Sequence, residues 1–339
     1  MNIIKGGKER NPSVEGYRFL LILYVVLFHY TYRFDEIHGT LDTSYLFESG
    51  GLVGNCLFYV VSGFFLNRYL IRNSGGVKDY VVYVINKYWR LWPQYAVAVI
   101  IVFAVSRFFP LPDETVDWTS AIVNVFFVYH PKFEYVDGAH WFIANLFLYQ
   151  LFMGVAILLR DDKKRLFIKL TAIYPLSVYL LQNWGVIEFC DYYFNLACPY
   201  FLSFYLGMVI NDFVDQRLSV IDYVWLLFIV LFWIIVTGKI VFFVFLIFFV
   251  FLLYNKSRLV NILLGNRLLV YLGGVSFSWY LIHQNIGFTI LYYLNSVFHN
   301  RTLLVLIALS STFLMALVLN ALASLLPKKI VTKQNLSFK

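Results

Sequence analysis

Charge is scarce in this chain of 339 residues. Asp, Glu, Lys and Arg make up 14% of it, against roughly 25% in an ordinary soluble domain. That shortage excludes a water-soluble fold of this length. Cysteine is also rare: Cys56, Cys190 and Cys198 are the full set, with no CxxC and no His/Cys spacing that suits a metal, so neither a disulfide-stapled scaffold nor a metal site is expected. Cys190 and Cys198 could pair only if both face outward. There is no internal repeat and no low-complexity tract. The first apolar run has no A-x-A cleavage site and is long enough to read as a span and not as a removable signal.

What fills the chain instead is apolar surface. Hydrophobic residues account for 61% of it and the mean hydropathy is +0.72. Apolar runs of roughly 18–25 residues, the length that crosses ~30 Å of hydrocarbon, recur from end to end. The expected fold is an all-α polytopic membrane protein, a bundle of about ten helices forming a single domain over 1–339. A polar segment 1–13 precedes the spans and a basic tail 327–339 follows them. The spans fall near 14–31, 51–71, 89–109, 141–159, 166–183, 196–211, 220–237, 239–254, 268–295 and 302–326. Residues 223–254 would make one helix of ~48 Å, too long for the bilayer core, so the Thr237-Gly238-Lys239 break is read as a hairpin between two short spans. The apolar stretch 118–131 is too short to cross easily and is taken as interfacial or re-entrant.

The net charge of +8 is distributed, not pooled, which argues against nucleic acid as a partner. Lys5, Lys8 and Arg10 lie before the first span; Arg68, Arg72, Lys78, Lys87 and Arg90 before the third; Arg160, Lys163, Lys164, Arg165 and Lys169 between the fourth and fifth; Lys328, Lys329, Lys333 and Lys339 in the tail. With ten spans all four groups fall on one side, which is then cytoplasmic together with both termini. The opposite loops are acidic: Asp35, Glu36, Asp42 and Glu48, then Asp113, Glu114, Asp117, Glu134 and Asp137. Adding or merging one span would put the Lys-rich tail outside. The long outer segment, 110–140, is rich in aromatics and acids and could form a lid.

Polar residues inside the apolar runs carry the functional question. In YRFLLILYVVLFHY, residues 17–30, Arg18 and His29 are eleven apart, which at ~100° per residue is about three full turns, so both leave one helix face. Glu15 shares that face. An anchoring Arg that snorkels to headgroups and an interfacial His are the bland readings; a polar stripe opening into a shared internal cavity is the functional one. His283, in SFSWYLIHQNIGF, falls at mid-span. A titratable group there is by default a functional candidate, although a histidine that only knits helices together would look the same. Ser276, Ser278, Tyr280, Gln284 and Asn285 are its polar neighbours in sequence.

NKYWRLWPQY, 86–95, brings Lys87 and Arg90 three apart on one helix face at the cytoplasmic entry of the third span, with Pro93 expected in the first turn. Such a pair is either a positive-inside flank or a phosphate site. GNCLFYVVSGFFL, 54–66, offers Gly54, Ser62 and Gly63, which close helix packing alone could explain. AHWFIANLFLY, 139–149, contributes His140, Trp141 and Asn145; the Trp suits a membrane interface, and the Asn is either interhelical glue or a pocket group.

Taken together these segments resemble the acyltransferase-3 family of membrane proteins. EGYRFLLILYVVLFHY is similar to its first helix, with Arg or Lys, ten residues, then His. LFYVVSGFFL resembles its second-helix F-F-x-x-S-G-F/Y pattern, NKYWRLWPQY its Arg-x-x-Arg-hydrophobic-Pro segment, and SFSWYLIHQNIGF its late Ser-x-x-x-Tyr-Leu-x-His helix. The order and spacing match from about 14 to 325. Two departures stand out. Lys87 replaces the first Arg of the pair, keeping charge and losing bidentate grip. HWFIAN stands where many members carry W-x-L-S-x-E, so Asn145 cannot act as a carboxylate acid or base. The chain ends soon after the last span without the C-terminal esterase-like domain of some members, so it is expected to act alone or to hand its product to separate glycan-synthesis machinery.

The resemblance implies O-acyl transfer, usually acetyl, from cytoplasmic acetyl-CoA to a carbohydrate. It implies His29 and Arg18 as catalytic residues, and Lys87 and Arg90 on the CoA phosphates. The supporting pocket would come from Glu15, Ser62, His140, Trp141, Asn145, Ser278, Tyr280 and His283. No metal is implied. The acceptor would be a capsular, exopolysaccharide or lipid-linked glycan at a bacterial plasma membrane, with succinyl or a longer acyl group as an alternative donor. A transporter of polysaccharide or lipid-linked sugar would also need buried His and Arg, though it should show two similar halves with paired interrupted segments.

Overall fold

The computed structural model describes residues 11–39, 47–112, 116–127, 133–184, 200–254 and 257–325. The described chain is all α-helical, without a strand. α1 (Pro12–Phe28) passes through one wide turn, His29–Arg33, into α2 (Phe34–His38). There follow α3 (Gly50–Leu70), α4 (Val77–Phe108), α5 (Trp118–Val125), α6 (Trp141–Gly154, with a tighter turn Val155–Leu158), α7 (Asp161–Thr171) and α8 (Ile173–Asn183). The second half contains α9 (Tyr200–Val214), α10 (Val220–Thr237), α11 (Val241–Tyr254), α12 (Arg258–Leu263), α13 (Arg267–Leu294) and α14 (Arg301–Ser324).

Local chemistry explains where these helices begin. The Asn11 side chain accepts from Ser13 N at 3.1 Å with Pro12 just inside the helix, and Asn266 and Asn300 do the same for Leu269 N at 2.9 Å and Leu303 N at 3.0 Å. Each cap satisfies an N–H that a helix start leaves orphaned, which matters more where water is absent. α10 ends on Gly238 at φ 63°, a left-handed conformation that glycine adopts without a Cβ clash. Across that turn Trp233 stacks on Phe242, with ring centroids 3.9 Å apart. The hairpin expected from the Thr237-Gly238-Lys239 break is thus present.

Among the described residues six helical segments are long and apolar enough to cross a membrane: Pro12–His38, Gly50–Leu70, Val77–Phe108, Trp141–Leu158, Val220–Thr237 and Arg301–Ser324. α9 and α11 are apolar and shorter. α13 has ample length at 28 residues, and its Ser, His, Gln and Asn side chains are what dilute its hydropathy.

Two expectations are corrected. α4 starts at Val77, well before 89, so Pro93 lies inside the helix and not in its first turn. The earlier turns stay helical because Tyr80 and Tyr83 donate to the α6 carbonyls of Leu151 and Gln150 at 3.2 and 3.0 Å. Residues 166–183 do not form one continuous helix. α7 and α8 meet at Ala172, because Pro175 has no N–H to offer the carbonyl of Thr171 and clashes with it. Each piece has 11 residues and so spans ~16.5 Å, about half the hydrocarbon thickness. α5, with 8 residues, likewise does not span. Cys190 and Cys198 lie outside the described residues; Cys56 is a buried free thiol.

The core is centred on α1, which packs between α3 and α13, with α9 against α3 and α14 against α13. Side chains as small as hydrogen set the closest approach: a Cβ on Gly63 would lie 1.9 Å from the Phe204 carbonyl oxygen, and one on Gly207 1.9 Å from that of Val60. Backbone-to-backbone packing of this kind replaces the hydrophobic drive that lipid cannot supply between helices. Gly63 is therefore a packing residue. α13 runs in the same direction as α4, as paired contacts at Gln94/Ser278 and Pro110/Tyr293 show, and as α1, as those at Glu15/Gly273 and Tyr30/Gly287 show.

Candidate active site

The wide turn in the first helix begins at His29. Phe34 N–H donates to the His29 carbonyl five residues back, not four. Single π-type turns cost regular hydrogen bonding and recur at functional sites. Here one re-aims the chain just beyond the imidazole. The carbonyls of Tyr30 and Thr31 receive the Arg301 guanidinium from the start of α14, at 3.2 and 3.1 Å, and the same guanidinium pairs with Asp35 at 3.1 Å.

His29 is buried and faces His283, another buried imidazole, across the α1/α13 interface. His283 Nε2 stands 3.3 Å from His29 Nδ1, with ring planes at 84°. His29 Nδ1 is also 2.9 Å from the Val25 carbonyl oxygen, and His283 Nδ1 is 2.8 Å from the Tyr280 carbonyl oxygen. Carbonyl oxygens only accept, so both rings carry their proton on Nδ1. His283 Nε2 is then the acceptor toward His29, and the unprotonated nitrogen of His29 is Nε2. The Gln284 side chain lies beside the same His29 ring.

The pair is braced from behind. Tyr30 OH donates to the His283 carbonyl at 2.7 Å and lies 2.9 Å from Thr312 Oγ1, which also accepts from Trp279 Nε1 at 3.0 Å. Tyr30 can cross α13 only because position 287 is glycine: a Cβ there would stand 2.1 Å from the ring. One helix along, Gln94 of α4 donates to Ser278, which donates in turn to Asn320 of α14 at 3.4 Å.

The loop 136–140 covers the other side of α13. His140 is buried, its Nε2 2.8 Å from the Leu281 carbonyl, and Tyr280 OH donates to the Ala139 carbonyl at 3.0 Å. Asp137 is fully buried; its two carboxylate oxygens accept from Ala139 N at 2.8 Å and Asn285 N at 3.1 Å. Burial pushes this carboxyl up to about 7, with the two N–H groups pulling against the rise.

Of the residues singled out from sequence, His29, His283, Tyr280 and His140 form this cluster, and Ser278 sits one to two turns away along α13. Arg18 does not touch His29; its Nη1 pairs with Glu15 Oε2 at 2.9 Å. Ser62 is half-buried on α3, eight residues past Gly54, which packs on Val25; at ~1.5 Å per residue that places it ~12 Å from the level of Val25, on the side away from His29. Trp141 packs on Tyr200, with centroids 5.0 Å apart, and Asn145 is buried. Lys87 is half-buried with Nζ 5.5 Å from the Tyr83 ring centroid, and Arg90 is exposed. Through the Gln94/Ser278 register these two cations lie roughly 14–18 Å along the bundle from His283, and Arg90 lies within about one turn of the depth of Arg18. Asp137, Gln94, Tyr30 and Arg301 are the site neighbours that sequence reasoning did not select. Among the described residues no group of three or more His, Cys, Asp or Glu is placed to hold a metal ion.

A bundle of apolar helices long enough to cross a membrane, with a pair of imidazoles buried between two of them, is an integral-membrane protein. The acyltransferase-domain model Acyl_transf_3 matches residues 11–321, and the chain belongs to that family of acyltransferases. No curated protein and no solved structure matches the chain.

Proposed function

We propose that this membrane acyltransferase is an O-acetyltransferase. It moves an acetyl group from cytoplasmic acetyl-CoA to a hydroxyl of a capsular, exopolysaccharide or lipid-linked glycan at a bacterial plasma membrane. The observation that carries this reading is the His29–His283 contact, which leaves His29 Nε2 as the basic nitrogen. A hydroxyl presented there loses its proton to Nε2 as its oxygen bonds to the thioester carbonyl carbon. The C–S bond then breaks, and the CoA thiolate leaves with the proton returned from Nε2. General-base assistance of this kind is worth ~10²–10⁴-fold. His283 Nε2 and the Val25 carbonyl share the Nδ1 proton of His29 and with it keep the working tautomer.

The basic residues support the donor's placement. Lys87 and Arg90 suit CoA phosphates, Arg as a fork and Lys as a point charge. Their offset from the imidazoles along the bundle leaves room for an extended arm to bring a thioester to His29. Arg18, already tied to Glu15, steers the anionic donor from the same depth. Glycan acceptors fit the aromatic-rich outer segments.

The test uses membranes containing the protein, labelled acetyl-CoA and the isolated glycan. Transfer should fall by 10²-fold or more in His29→Ala and His29→Gln; unchanged labelling of acceptor would remove His29 from the chemistry. Deleting the gene should leave glycan amount intact and strip its acetyl groups. Loss of glycan from the surface would instead favour export.

A further inference from the structure

We infer that Asp137 and His140 are positioning residues that hold His283 by gripping both ends of one rung of the α13 backbone ladder. This rests on the acyl-transfer reading of the His29–His283 pair. In a helix the carbonyl of residue 281 and the N–H of residue 285 are partners. Here the Leu281 carbonyl accepts from His140 Nε2 at 2.8 Å, and Asn285 N–H donates to Asp137 Oδ2 at 3.1 Å. His283 is the residue midway between them.

The surrounding contacts tighten the same turn. Tyr280, whose carbonyl receives the His283 Nδ1 proton, is itself fastened through its hydroxyl to Ala139. The Asn285 amide spans the loop, donating from Nδ2 to the Val136 carbonyl at 3.1 Å and accepting from Gly138 N at 3.3 Å. Gly138 rests on Gln284, the residue after His283, close enough that a Cβ would stand 2.2 Å from Nε2. Residues 280, 281, 284 and 285 are therefore all held by one five-residue loop, on both sides of His283.

A fully buried carboxylate is expensive to keep, and no ion pair to Asp137 is formed among the described residues; backbone N–H groups hold it instead. A plain helix would satisfy Leu281 and Asn285 at no such cost. What the clasp adds is control: the angle of the His283 ring, and so the line from its Nε2 to His29 Nδ1, depends on the loop and not on α13 alone. Orientation of a base by a third group is what a fixed tautomer requires.

The experiment compares full-length wild type with Asp137→Ala, His140→Ala and His140→Gln, each alone and combined with His283→Ala. In the wild-type background the two alanine variants should lose about five- to tenfold in kcat, no more than His283→Ala itself, with donor KM within about twofold. His140→Gln, which keeps a donor for Leu281, should recover most of that. In the His283→Ala background the same changes should cost less than about threefold, because residues acting through one group are non-additive. Equal losses in both backgrounds would overturn the inference. Amide hydrogen exchange on the purified protein gives a reading without turnover. Exchange at 281–288 should quicken in Asp137→Ala and His140→Ala while α3 and α14 keep their protection; unchanged exchange there would equally overturn it. Wild-type protein that transfers no acyl group would strike the acyl-transfer reading alone, and the exchange result would then decide the clasp.

Discussion

His283 Nε2 accepts from His29 Nδ1 across 3.3 Å, joining two side chains 254 residues apart in the chain. The contact orients His29 and donates nothing to its other nitrogen, so the two imidazoles have unequal parts. His29 is the one able to take a proton from a substrate, and His283 is its support.

That inequality is measurable. His29→Ala removes the base and should cost 10²–10⁴-fold. His283→Ala leaves the Val25 carbonyl still holding the Nδ1 proton, so the expected loss is nearer tenfold. His283→Gln, whose amide oxygen can accept, should fall between wild type and His283→Ala. Single-turnover transfer from labelled donor would rank the three. Equal losses at both positions would contradict the assignment of roles.

Gly287→Ala should destabilise the α1/α13 interface on which the imidazole pair rests. Its Cβ would stand 2.1 Å from the Tyr30 ring, and overpacking of a filled interface costs about 1–3 kcal/mol. Tyr30→Phe removes the hydroxyl that donates to His283 and should cost about 1–3 kcal/mol by leaving buried acceptors without a partner. Both appear as a lowered Tm of the detergent-solubilised protein, Tyr30→Phe with little change in donor KM.

Lys87→Ala and Arg90→Ala should raise donor KM about 10- to 100-fold with kcat nearly unchanged, the signature of lost uniform binding; a charge-assisted hydrogen bond of about 1.5–3 kcal/mol sets that range. Lys87→Arg should bind donor at least as tightly as wild type. Steady-state kinetics against acetyl-CoA, with dephospho-CoA esters as the comparison, would show which cation meets which phosphate.

Asp137 gives folding a pH dependence of definite sign. Its carboxyl rises from the ordinary 3.8 to about 7 in the folded protein, so between those values the folded state holds a proton that the unfolded state has released. The stability it contributes is complete below about pH 4, declines as pH rises, and is gone above about pH 7. Asp137→Asn should flatten that decline. Tm measured from pH 4 to 8 for the two proteins, taken as a difference, isolates this group from the other carboxylates.

Much of the site was legible in one dimension. The spacing of Arg18 and His29 gave their shared face and their separation in depth, and the position of His283 in its helix marked it as a polar group in an apolar setting. The wide turn after His29 was not legible, because YRFLLILYVVLFHY continues as a good helix and the Arg301 guanidinium that meets the Tyr30 and Thr31 carbonyls comes from a distant helix. Asp137 looked like one more acid in an acidic loop. Nothing near it in sequence shows that its partner is a backbone N–H in α13. Pro93 was misplaced because the aromatic contacts that keep Val77–Tyr88 helical lie on α6.

Composition and periodicity alone determined that this chain is a helical membrane protein and which residues are polar within its apolar runs; the acyltransferase reading came from the resemblance of its motifs to a family. These follow from local quantities: bilayer thickness, helical rise and the cost of an unpaired backbone group in lipid. Tertiary structure decided that His29 meets His283, which nitrogen of each carries the proton, and that a loop clasps α13 at that turn. Apolar helix faces are nearly interchangeable to lipid and to one another, so which faces touch depends on the fit of particular glycines and side chains across the whole bundle.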